Sequence, residues 1–188
     1  MRTLIVTAFV SLDGVMEAPG GEEGYRNTGW TFKDIEFLPD AYEIKAREQE
    51  ESTALMLGRV SYEAFAPVWP SMAEFAGYAA MPKYVVSSTL TEVQPGWGEV
   101  NILRSMDDVA ALKQTEGGQI IVHASANLGA SLADASLVDR YQLLVFPTLL
   151  GAGKRLFSDT DKDKTMLTMV ESESYGNGIQ KLVYDVVR

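Results

Sequence analysis

Residues 119–157 read QIIVHASANLGASLADASLVDRYQLLVFPTLLGAGKRLF, and the fold turns on this stretch. Ile120, Ile121 and Val122 form a short apolar, β-branched run of the kind that fills a strand covered on both faces. His123, Ala124, Ser125, Ala126 and Asn127 follow, small or polar residues that can end a strand and open a helix. Leu128, Leu132 and Leu137 recur near helical spacing and predict a helix with one apolar stripe on the sheet. Residues 141–146 (YQLLVF) are apolar almost throughout, and Pro147 ends the pairing on one side. A strand that feeds a helix through small residues leaves backbone N–H groups free at the helix N-terminus, where they and the helix dipole suit a phosphate.

The same reading extends outward. Residues 3–10 (TLIVTAFV) predict a buried strand, closed by a turn at Asp13-Gly14. Its apolar run has the look of a signal-peptide core, but Ser11-Leu12-Asp13-Gly14 stand where a cleavage site belongs, which favours a strand and a cytoplasmic protein. Residues 16–31 form a glycine-rich loop, long enough to be a lid or binding loop, that ends in the large rings of Trp30 and Phe32. A helix is expected over residues 34–52, with Phe37, Tyr42, Ile44 and Ala46 as its apolar side and Pro39 as a candidate start. Strands are expected at 54–57, 83–87 and 100–103, a helix-like segment after Arg59, and a helix at 107–114 with Gly117-Gly118 as its C-cap. Residues 154–163 are charged and predicted exposed, and the runs at 165–175 and 179–187 flank Gly176-Asn177-Gly178 as a terminal hairpin. With no repeat or linker, the expectation is one α/β domain over residues 1–188, strands alternating with helices early and an antiparallel hairpin late.

Composition excludes several functions. A net charge of −10 argues against nucleic acid as a partner, because a phosphate backbone is bound by clustered Lys and Arg. Without cysteine there is no disulfide, zinc-thiolate site or thiol nucleophile, and a single histidine leaves no metal site built on a histidine pair. No run approaches the ~18 apolar residues of a membrane span.

Three strand ends carry the candidate chemistry. They are Gly58-Arg59-Val60-Ser61, Ser87-Ser88-Thr89, and Ala124-Ser125-Ala126-Asn127. In an open α/β sheet, ligands bind beyond the carboxyl ends of the strands, and these ends together could hold one extended anion. Each motif alone is more often structural, since serines commonly just cap helices. The turn Gly151-Ala152-Gly153-Lys154 lacks the fuller phosphate-loop pattern, with Arg155 in place of Ser or Thr. His123 at a buried strand end is more often a core residue than a catalyst. Glu48, Glu50 and Glu51 read as a solvated helix face. Asp13 is the better acid candidate, weighed equally against a role in holding its own turn.

Four motifs in order, SLDG (residues 11–14), LGRVSYEAF (57–65), KYVVSSTL (83–90) and the stretch from Ser125 to Phe157, resemble the dihydrofolate reductase-like family. The similarity is greatest to the branch of the riboflavin biosynthesis reductase C-terminal domain and covers nearly the whole chain. The resemblance implies a three-layer α/β fold with a mostly parallel central sheet and a C-terminal antiparallel hairpin. It also implies NADPH as cofactor, hydride transfer to a small pteridine- or pyrimidine-like substrate, and a homodimer. Carried over residue by residue, Gly58, Arg59 and Ser61 fall at the adenosine end of the cofactor, with Ser87 and Ser88 beside its 2′-phosphate. Ala124, Ser125, Ala126, Asn127 and Leu128 form the diphosphate turn, and Gly151 and Gly153 join the cofactor-binding set. Asp13 and Trp30 fall near the substrate pocket, with Asp13 the catalytic candidate. One departure is Ala124, where the family usually has glycine; alanine is tolerated there if its φ is negative and crowds the phosphate otherwise. The alternative from another class is a non-catalytic nucleotide or small-molecule binding homodimer that keeps the reductase fold.

Overall fold

The computed structural model describes residues 1–159 and 163–188. Among these residues eight strands form one sheet in the order β4-β3-β2-β5-β1-β6-β8-β7. They are β1 Leu4–Ser11, β2 Ser52–Gly58, β3 Lys83–Val86, β4 Val100–Leu103, β5 Gln119–His123, β6 Arg140–Phe146, β7 Leu167–Ser174 and β8 Gln180–Val186. Neighbours from β4 to β6 pair in parallel, while β8 pairs antiparallel with β6 and β7 antiparallel with β8. The architecture is therefore the dihydrofolate reductase-like α/β fold with its late antiparallel hairpin. Among the described residues five α-helices flank the sheet: α1 Pro39–Glu51, α2 Arg59–Phe65, α3 Ala76–Ala80, α4 Met106–Gln114 and α5 Ala126–Asp134.

Alternation along the central strands sorts their side chains to two faces. Leu4, Val6, Ala8 and Val10 of β1 join Val122 of β5 in a core shared with Val109 of α4 and Leu128 and Leu132 of α5. The opposite set, Ile5 of β1 and Ile121 of β5, packs with Tyr62, Trp69 and Tyr78. Phe9 meets Phe146 edge to face at 5.6 Å, in a third cluster that also contains Ala41 and Ile44 of α1. Burial on both faces explains why the central strands read as unbroken apolar runs.

Local details differ from the sequence reading at several points. Pro39 is the first residue of α1, as its fixed φ and missing donor favour, so residues 34–38 are not helical. The buried face of α1 is Ala41, Ile44 and Glu48, whereas Phe37 and Ala46 are exposed. Helix α4 ends at Thr115, whose N–H donates to the Leu112 carbonyl, rather than at the Gly117-Gly118 pair. Gly117 has φ +147° and lies against the Arg2 side chain, a close approach that a Cβ would obstruct. The expected exposure of residues 154–163 fails at buried Leu156 and partly buried Ser158, and in part lies outside the described residues.

Candidate active site

Because β1, β2, β3 and β5 run parallel, their carboxyl ends open on one edge of the sheet, where two cavities lie. They meet at the turn between β5 and α5, where Ala124 lines one and Ser125 the other.

The first cavity, of about 300 Å³, is lined by Gly58, Arg59, Ser61, the first turn of α5 from Ser125 to Leu128, and Lys154. Ser125 joins the strand ends. Its Oγ accepts from the Gly58 N–H at 3.0 Å and lies 2.8 Å from the Ser61 Oγ. Ala124 has φ +53° and Ser125 φ +64°, two consecutive non-glycine residues in the left-handed region. Each such residue costs about 1–2 kcal/mol, and strain of this kind collects at ligand-binding turns. The sequence reading made tolerance of alanine at this turn depend on a negative φ, and the structure gives Ala124 a positive one. Arg59 and Lys154 are the cations of this lining; they pair with Glu63 at 2.8 Å and Glu17 at 3.0 Å respectively, neither of which lines the cavity. The donor set is free helix N–H groups, a guanidinium, an ammonium and small hydroxyls. It fits an extended phosphorylated ligand such as a dinucleotide.

The second cavity, of about 430 Å³, is mainly apolar and has an aromatic wall. Phe65, Trp69 and Phe75 stack as a three-ring pile, with centroids 4.0 and 4.1 Å apart and planes within 9° and 14°. Phe9 and Met16 complete the apolar wall, and residues 19–22 of the glycine-rich loop form the rim. The floor is polar. Thr7 and His123 are register partners on β1 and β5, so both reach the cavity from adjacent strands. Thr7 donates to Glu48 Oε1 at 2.6 Å, Lys45 donates to the Thr7 hydroxyl, and Lys45 Nζ lies 3.3 Å from both Glu48 oxygens. Burial raises the Glu48 carboxyl and lowers the Lys45 ammonium from their ordinary values, while each partner's charge opposes the other's shift. Whichever of the two holds the proton, the pair sums to zero charge.

His123 sits within this floor against Trp69 and Tyr78, with its Nδ1 3.4 Å from the Tyr78 hydroxyl. Desolvation, with a smaller contribution from Lys45, lowers its pKa to about 3, so the imidazole is neutral at physiological pH.

Most of the residues assigned to the diphosphate turn and to the adenosine end come together in the first cavity; several others do not. Ser87 is buried with its Oγ accepting the N–H groups of Thr89 and Leu90, and the exposed Ser88 lines neither cavity, so the β3 end is a closed turn. Gly151 and Gly153 lie in the loop after β6, and only the neighbouring Lys154 reaches the first cavity. Gly153, at φ +143°, is needed because a Cβ would come within 2.6 Å of Val15. Asp13 lines neither cavity. Its carboxylate accepts from the Ser11 hydroxyl at 2.6 Å and from the N–H groups of Leu150 and Gly151 at 3.1 and 2.7 Å. These bonds, the Ser11 hydroxyl foremost, hold its pKa near 2. The turn-holding role accounts for the residue, and so low a pKa does not suit a proton donor at neutral pH. Trp30 is buried edge to face on Phe146 with its N–H on the Glu17 carbonyl, and borders a separate cavity with Arg26, Lys33 and Pro147.

The sequence reading missed Thr7, Lys45, Glu48 and the ring pile. Glu48, taken for a solvated residue, is 3% exposed. A signal was present, since Ala41, Ile44, Lys45 and Glu48 fall at i, i+3, i+4 and i+7, the stripe that faces a core. Among the described residues no cluster of His, Asp or Glu could hold a metal, and no helix is long and apolar enough to cross a membrane.

Comparison with known proteins agrees with the fold. The family model of the RibD C-terminal domain matches residues 2–181, and the chain belongs to that family. It is 28% identical over 192 residues to the uncharacterized protein YyaP of Bacillus subtilis (strain 168), covering 97% of this chain and 94% of YyaP. A solved protein of Shewanella sp. PV-4 that bears a riboflavin-biosynthesis name superposes with a TM-score of 0.76 at 20% identity over 99% of both chains. Dihydrofolate reductase from Enterococcus faecalis, solved with NADP(H) and RAB-propyl, superposes with a TM-score of 0.60 at 15% identity, over 99% of this chain and 97% of that one. These likenesses place the chain among reductase-like folds.

Proposed function

We propose that the protein is an NADPH-dependent reductase of a small, planar heterocycle of pteridine- or pyrimidine-like type, acting as one domain. The observation that carries this is the shared turn. Ala124 and Ser125 are adjacent residues, yet one faces an aromatic cavity and the other a cationic one. A dinucleotide laid across that turn has its phosphates among Arg59, Ser61, Lys154 and the α5 N-terminus, and its nicotinamide end in the aromatic cavity. When bound, NADPH supplies a hydride. The chain's part is to hold the two rings in contact. Phe65, Trp69 and Phe75 wall the cavity, the loop at residues 19–22 limits access of water, and Lys45, Thr7 and His123 present polar atoms at its floor. An adjoining proposal is a homodimer, supported by the edge strand β7, whose Met169 and Val170 are exposed.

Fluorescence titration with NADPH and NADH tests the reading, because Trp69 lines the cavity and reports its occupation. NADPH-selective quenching is expected. Arg59→Ala should weaken NADPH by about tenfold, the loss of one charge-assisted contact, and leave NADH unchanged. Equal losses for both cofactors would remove Arg59 from the 2′-phosphate.

A further inference from the structure

Charge distinguishes the two cavities. The first is lined by two cations and no carboxylate, and the partners of those cations, Glu63 and Glu17, form pairs with them outside the lining that are open to solvent, which screens them. In the second, Lys45 is cancelled by Glu48, His123 is neutral, and Glu22 stands at the rim. Tyr78, which backs His123, holds its hydroxyl proton because burial raises its pKa. The floor therefore carries hydrogen-bond donors and acceptors but no net positive charge. A carboxylate or phosphate entering it would lose its water and gain no counter-charge, a large penalty in an apolar cavity. An uncharged carbonyl or ring nitrogen loses much less and gains the Lys45 donor.

We propose that Lys45 is the specificity-determining residue of the aromatic cavity: its Nζ donates to a carbonyl or ring nitrogen of an uncharged planar heterocycle, and Glu48 and Thr7 are positioning residues that aim it and cancel its charge. The placement of Lys45 supports this. Its Nζ lies over the Phe9 ring, 4.9 Å from the ring centroid, and contacts Thr7 and Glu48 while the side chain still borders the cavity. A lysine that only tied α1 to β1 would have no need to reach the ligand space. The inference rests on the reductase reading for the kind of occupant, but its test does not require turnover.

Pterin and pterin-6-carboxylate share one ring system and differ by a single negative charge, so they separate recognition of the ring from recognition of charge. Binding of each is measured by quenching and calorimetry, with NADPH and 2′-phosphoadenosine titrated in parallel on the same samples. The wild-type protein is expected to favour pterin by about tenfold or more, since the carboxylate meets no counter-charge. Lys45→Met should lose about tenfold in pterin affinity and keep its affinity for 2′-phosphoadenosine, which occupies the first cavity and does not reach Lys45. Glu48→Gln removes the carboxylate that pairs with Lys45, so an incoming carboxylate can take its place as the partner of the ammonium, and discrimination against pterin-6-carboxylate should narrow. Should Glu48→Gln fold poorly, the double variant Lys45→Met with Glu48→Met keeps the floor neutral; it should lose pterin without gaining the carboxylate. Absence of pterin binding by the wild type, equal pterin binding by Lys45→Met, or unchanged discrimination in Glu48→Gln overturns the proposal. Lys45-dependent pterin binding without NADPH binding supports it and overturns the reductase reading instead.

Discussion

The two cavities share a turn and contrast in construction. The cationic one joins two short turns, Gly58 to Ser61 and Ser125 to Leu128, with Lys154 from the loop after β6. The aromatic one is assembled from β1, α1, α2, the segment after α2, the glycine-rich loop and β5. A phosphate needs only a helix terminus and a nearby cation, and here short local motifs supply each of them. A selective pocket needs rings and polar atoms converging from several directions, and only the whole fold can bring those together.

Three experiments probe that contrast. The largest effect is expected from Trp69→Ala, which removes the middle ring of the pile. It should cost about 3–5 kcal/mol of stability by urea denaturation, while binding of a phosphorylated fragment such as 2′-phosphoadenosine in the cationic cavity survives. Parallel loss of both would show that the cavities are one unit.

Acidification gives a smaller effect on the same wall. The pKa of His123 falls from an ordinary 6.5 to about 3 in the folded protein because burial disfavours the imidazolium. The unfolded chain therefore takes up a proton at pH values where the folded chain does not. The stability that depends on neutral His123 is present above pH 6.5 and is lost progressively as pH falls toward 3. Between pH 6.5 and 5, before ordinary carboxylates titrate, the melting temperature of His123→Phe should fall less steeply than that of the wild type. Identical slopes would mean that water reaches the imidazole.

The smallest effect belongs to the shared turn. Replacing Ala124, at φ +53°, by glycine should stabilise the protein by about 1 kcal/mol or less, relief of strain outweighing glycine's greater unfolded entropy. NADPH affinity should stay the same or rise. Weaker cofactor binding would show that the alanine's stiffness helps to hold the turn for its ligand.

How much was legible follows from the range of each signal. The β5–α5 unit and the terminal hairpin were readable because apolar period and turn residues are local properties. The start of α1 at Pro39 was readable for the same reason. Ser87, Gly151 and Asp13 line neither cavity, which the sequence does not reveal because a strand-end serine, a loop glycine or a turn aspartate reads the same whether it binds a ligand or closes a turn. The structure separates those roles by showing where the hydrogen bonds go: Ser87 to Thr89 and Leu90, Asp13 to Leu150 and Gly151.

The sequence by itself determined the strand and helix order, the late hairpin, the helix terminus suited to phosphate and the resemblance to reductases, all properties of neighbouring residues. Only the tertiary structure decided that Glu48 is buried, that Thr7 and Lys45 meet it at the floor of a cavity, and that Phe65, Trp69 and Phe75 form one wall. The physical reason is that burial and charge cancellation belong to pairs of groups in space. Thr7 and Glu48 lie 41 positions apart in the chain, and it is the packing of α1 on β1 that joins them.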